Sequence, residues 1–101
     1  MMADLRPVQG LYYEDYIVGA SITSQGRTVT ESDIVSFAML SGDWNPLHTD
    51  VQVAKDTPYG ERIAHGQLVL SMATGLAERL GFMHQTVLGF MGLEWPFRAA
   101  V

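Results

Sequence analysis

Residues 66–80 constrain this chain most. Leu68, Val69, Met72, Ala73, Leu76, Ala77 and Leu80 recur at i, i+1, i+4, i+5, i+8, i+9 and i+12, the spacing of one broad apolar face on a helix. Ala73, Gly75 and Ala77 are small enough to let another backbone approach. Gly81 is placed to end the helix, with Arg79 near the negative end of its dipole. A face this wide has to be covered by another layer, and its breadth suits a sheet. Residues 86–98 read as a strand, with Val87, Gly89, Met91, Leu93, Trp95 and Phe97 on one side. Residues 11–18 and 26–30 read as two weaker extended segments. So narrow a sheet is marginal in water. The expectation is that a second copy or further strands complete it. Otherwise the Leu68-Met72-Leu76-Leu80 row or the Val87–Phe97 face stays partly exposed.

Length and charge narrow the classes. The 101 residues suit one domain, read as a loose lead-in over 1–10 and a single domain over 11–101. Six basic against eleven acidic residues give a net charge of −5, the wrong sign for a general nucleic-acid binder. Cysteine is absent, which removes disulfides, thiolate metal sites and a thiol nucleophile. No apolar run reaches the roughly 18 residues that span a bilayer, so no membrane partner is expected. Asp4, Arg6, Glu14 and Asp15 interrupt the first twenty residues, unlike a secretory leader, and a cytoplasmic location is expected.

A second helix is signalled over about 31–41. Thr30 or Ser32 can cap it, Glu31 and Asp33 fall in its first turn, and Gly42 can end it. Its expected stripe is Ile34, Phe37, Ala38 and Leu40 or Ser41. The following Gly42-Asp43-Trp44-Asn45-Pro46-Leu47-His48 reads as an irregular loop, followed by a turn or two of helix from Asp50 and a turn at Thr57–Gly60. Asp43 and His48, five apart on a segment stiffened by Pro46, can turn a carboxylate and an imidazole toward one water. Asn45 can hold the loop by hydrogen bonding. The plainer alternatives stay open: Asp43 as a turn cap, and His48 as a partly buried histidine bonded to backbone. Gly66, at the start of the long helix, stands where unpaired N–H groups suit an oxyanion and where a missing side chain lets a ligand approach. His65 reads as a surface side chain. His48, His65 and His84 match no metal-ligand spacing, so no metal is expected. Neither a phosphate-binding glycine loop nor a nucleophile elbow is present.

Ser41-Gly42-Asp43-Trp44-Asn45-Pro46-Leu47-His48, with Ala64-His65-Gly66 at a helix start, closely resembles the hydratase-2 motif of MaoC-like dehydratases, the R-specific enoyl-CoA hydratases. The resemblance covers roughly residues 11–101. It implies an α+β hot-dog fold, a long central helix against a curved antiparallel sheet, paired as a homodimer and truncated here after the first main strands. It also implies reversible hydration of trans-2-enoyl thioesters to (3R)-3-hydroxyacyl thioesters. Asp43 and His48 would be the catalytic pair, Gly66 N–H the oxyanion donor, and Asn45 and Thr74 supporting residues. No cofactor is implied beyond the CoA or acyl-carrier-protein thioester that serves as substrate. Two other functions remain: an acyl-thioester binding or dimerisation module without turnover, and a thioesterase.

Overall fold

The first regular helix, α1, spans Glu31–Ser41 because both of its ends are specified locally. Thr30 Oγ1 accepts from Asp33 N–H at 3.1 Å, while the Asp33 carboxylate accepts from Thr30 N–H at 2.9 Å. This reciprocal box satisfies two N–H groups that have no partner within the helix. Arg27 reaches the same carboxylate at 3.0 Å. Gly42 ends α1 with φ 78°, in the left-handed region that glycine adopts without strain. Ala38 is fully buried on the inner face and Ile34 and Phe37 partly so, but Leu40, expected in the stripe, is 84% exposed.

The computed structural model describes residues 9–101. Most of the expected lead-in 1–10 therefore lies outside the described residues. After α1 come α2 (Pro46–Thr49), α3 (Val51–Ala54) and α4 (Gly66–Glu78). The helix α2 corrects the irregular loop expected around Pro46. Asn45 Oδ1 accepts from Leu47 N–H at 3.0 Å and Pro46 occupies the first turn, where its missing N–H and fixed φ suit a helix start. Asp50 caps α3 through Gln52 and Val53 N–H. The expected turn closes with Gly60 N–H on Thr57 O at 3.0 Å.

The chain divides into two compact units. One comprises 27–72 with 95–101. Its core is Ala64, Leu68 and Met72, packed by Val29, Ile34, Phe37 and Val69, so the first half of the α4 stripe is buried as its periodicity requires. Ala64 N–H donates to Val101 O at 2.8 Å, which ties the 95–101 segment to the start of α4. The other unit comprises, of the described residues, 9–26 with 73–94. There α4 tightens after Glu78, with Leu80 N–H on Ala77 O and Gly81 N–H on Glu78 O. Gly10 and Leu11 N–H donate to Gly81 and Phe82 O, and Tyr16 meets Phe82 edge to face at 6.5 Å.

The strand expected at 86–98 does not form and the extended segments expected at 11–18 and 26–30 do not pair, so among the described residues the sheet half of the α+β architecture is absent. Residues Tyr13–Asp15 are instead a single 3-10 turn held by Tyr12 N–H on the Asp15 carboxylate. The reason is physical: alternation selects the two faces of a strand, but the strand exists only when its N–H and C=O groups pair with a neighbour. Along 87–97 the side chains remain outside, with Leu88 101% and Met91 104% exposed. The expected exposure of the Val87–Phe97 face is thus present.

Candidate active site

Three local devices deliver the Asp43–His48 segment from the end of α1. Ser41 Oγ donates to Phe37 O at 2.7 Å and accepts from Asp43 N–H at 3.1 Å. The Asp43 carboxylate accepts from Asn45 N–H at 3.2 Å, so Asp43 does act as a turn cap, one of the plain roles its residue type allows. Asn45 O then accepts from His48 N–H at 2.9 Å, and Thr49 Oγ1 donates to Trp44 O and Asn45 O. Asn45 thus braces the segment through both its side chain and its backbone.

The imidazole of His48 is partly buried, with Nδ1 2.8 Å from Ile63 O. A carbonyl oxygen only accepts, so Nδ1 carries a proton, and in the neutral ring Nε2 keeps a lone pair. His48 and Gly66 line one cavity of about 410 Å³, together with Tyr59, Val69, Phe97 and Arg98. Asp43 is exposed and does not line it. The Asp43 carboxylate nevertheless lies close to the imidazoles, with one ligand-type atom each from Asp43, His48 and His65 all within 4.8 Å of one another.

Gly66 is the first residue of α4, and no acceptor among the described residues takes its N–H. Its bare Cα has a second consequence. A Cβ there would stand 2.6 Å from Cε1 and 2.7 Å from Cζ of Phe97, so what approaches the missing side chain is this ring. Thr74 is exposed on the second half of α4 and belongs to the other unit.

His65 overturns its expected surface position, for it is 1% exposed. Nε2 lies 2.9 Å from Asp43 O, the ring stacks on His48 at 3.9 Å and 28°, and Phe37 meets it edge-on at 4.9 Å. The signal was in the spacing: 65, 68, 69 and 72 fall at i, i+3, i+4 and i+7, which continues the buried stripe one turn backward. Phe97 had no comparable local signal.

The grouping of Asp43, His48 and His65 has the residue types of a cation site. The stacking works against that use. Imidazole lone pairs lie in the ring plane, and an ion about 2.0–2.1 Å from two nitrogens must lie in both planes. Two rings stacked nearly parallel do not meet this close at hand. Proton handling needs no such convergence.

Comparisons extend the picture. The chain is 42% identical over 66 residues to 3-hydroxybutyryl-CoA dehydratase of Methylorubrum extorquens, a match covering 65% of this chain and 40% of that protein. Among solved structures, it resembles a monoamine oxidase regulatory protein from Archaeoglobus with TM-score 0.85 and 39% identity, over 96% of this chain and 66% of that one. It resembles an R-hydratase of Pseudomonas aeruginosa with TM-score 0.62 and 32% identity, over 79% and 50%. These likenesses support the hot-dog fold expected from the motif. The chain spans at most 40% of the length of the curated relatives it matches. The MaoC like domain matches residues 16–101, most of the chain, and the protein belongs to that family.

Proposed function

We propose that this chain carries the catalytic segment of a hydratase that adds water reversibly across trans-2-enoyl thioesters, giving (3R)-3-hydroxyacyl thioesters. The observation that carries the reading is the His48 tautomer beside the Gly66 cavity. With Nδ1–H held by Ile63 O, Nε2 is a bare base. The thioester carbonyl oxygen rests on the Gly66 N–H, which draws electron density from the double bond and makes C3 electrophilic. Water held between the Asp43 carboxylate and His48 gives its proton to Nε2 as its oxygen bonds to C3. The electron pair of the double bond moves onto the carbonyl oxygen as an enolate. That enolate collapses by taking a proton at C2 from the imidazolium, which restores the neutral base. The Asp43 carboxylate orients the water and offsets the transient charge on His48. A donor on such an oxyanion is worth about 2.7–4 kcal/mol. Arg98, at the same cavity, offers a cation to the phosphates of CoA or of a carrier-protein arm. A homodimer with a curved sheet around α4 is the assembly that suits the exposed 87–97 segment.

One observation favours a second reading, an acyl-thioester binding module without turnover: Asp43 is exposed and outside the cavity lining. Substitution separates the two. Asp43→Asn and His48→Gln are each expected to lower hydration at least about 100-fold with helix content unchanged, the first by removing the carboxylate that orients the water and offsets charge, the second by removing the base. Near-normal turnover in either variant would sink the mechanism.

A further inference from the structure

We infer that His65 is a positioning residue, fixing at once the Asp43 backbone and the plane of the His48 ring. The inference rests on the proposed roles of Asp43 and His48 and adds the device that holds them. Because Asp43 O can only accept, His65 Nε2 carries the proton in their 2.9 Å bond. Nδ1 then keeps its lone pair, and it is buried with no partner among the described residues. A buried polar atom without a partner is unfavourable, and a hydrocarbon side chain would not create one. Histidine at this position is therefore not explained by packing. What it supplies that a hydrocarbon ring cannot is the N–H directed at Asp43.

The second link is the stack. The His65 ring lies 3.9 Å from that of His48 at 28°, on a ring already pinned at Nδ1 by Ile63 O. Phe37 braces His65 in turn at 4.9 Å. One side chain, at the residue before α4, thus links both ends of the segment 43–48, and its neighbour Phe37 packs against the buried core of Ala64, Leu68 and Met72. His65 acts through its neighbours and needs no contact with substrate.

Two variants separate the links. His65→Phe keeps a flat buried ring and loses the donor; His65→Gln restores a donor and loses the stack. The first readout is amide hydrogen exchange, which is independent of activity. In His65→Phe the amides of Asn45, Leu47 and His48 should exchange about tenfold faster, the size expected from loss of one hydrogen bond, while those of Val35–Leu40 in α1 stay unchanged. His65→Gln should recover part of that protection. The second readout is hydration kinetics: kcat should fall about tenfold in His65→Phe with KM within about twofold, and recover in part in His65→Gln. Unchanged exchange at 43–48 in His65→Phe would overturn the inference, as would equal acceleration through α1 in both variants, which marks a plain core residue. If the wild-type chain hydrates no enoyl thioester yet shows the exchange pattern, the functional reading fails and the positioning role stands. If it does hydrate and the exchange is flat, only the positioning role fails.

Discussion

Replacing Gly66 by alanine places a methyl group 2.6–2.7 Å from two carbons of the Phe97 ring. Carbon atoms rest at about 3.5–4.0 Å, so the ring has to retreat by roughly 1 Å. Phe97 is 59% exposed and has room to move outward, so the strain falls at the low end of the about 1–3 kcal/mol typical of overpacking. Alanine opposes this with its better helix propensity, up to about 0.8–1.0 kcal/mol over glycine. Gly66→Ala should therefore destabilise by about 0–1 kcal/mol in the otherwise unchanged protein. In a Phe97→Ala background the strain is gone and the same change should stabilise by up to about 1 kcal/mol. Urea unfolding of the four proteins, at equal m-values, measures the difference as a coupling of about 1–2 kcal/mol. A coupling below about 0.5 kcal/mol, the level at which separate sites simply add, would show that Gly66 is not bare to admit Phe97.

Acid should loosen the start of α1. The Thr30 backbone N–H and then the Thr30 hydroxyl hold the Asp33 carboxyl below its ordinary value, against a smaller opposing effect of burial, and the Arg27 charge adds a lesser lowering. A depressed value in the folded state means the contribution is complete above the unfolded value near pH 3.9 and is lost as pH falls through the folded one. Amide protection at Asp33 and Ile34 should decline over that window, and Asp33→Asn should abolish the step; a wild-type profile flat from pH 5 downward, over about two units, contradicts it. Self-association is expected from the bare 87–97 segment, where Leu88, Phe90 and Met91 are largely exposed. Sedimentation should show concentration-dependent dimers or larger species, reduced by Leu88→Glu with Met91→Glu, whereas a monodisperse, cooperatively unfolding monomer at micromolar concentration would contradict it.

What the amino-acid order revealed was what short stretches decide. The Thr30–Asp33 box and Gly42 bracket α1 within one turn of each end, and the i+4 rhythm after Gly66 is α4 itself. Asn45 and Pro46 carried a helix start that their usual role in turns concealed. The strands were not recoverable in this way, because alternation in 86–98 names faces and a ladder needs a partner. In the site, the nearness of the Asp43 carboxylate to His48 was legible, since five residues on a stiffened segment limit their separation. The stacking of His65 on His48 was not, because it joins groups seventeen positions apart across an intervening helix and turn. Nor was the seat of Phe97 on Gly66, which depends on residues 95–101 returning to the head of α4 through the bond from Ala64 to Val101.

In the proposed reading His48, Asp43 and the Gly66 N–H form a water-adding centre. The most direct test is incubation with a trans-2-enoyl-CoA, following loss of the conjugated enoyl absorbance and release of free thiol in the same sample. Absorbance should fall to the hydration equilibrium, (3R)-3-hydroxyacyl-CoA should accumulate, and no thiol should appear. Thiol release in step with the loss of absorbance, or an unchanged substrate, would contradict it.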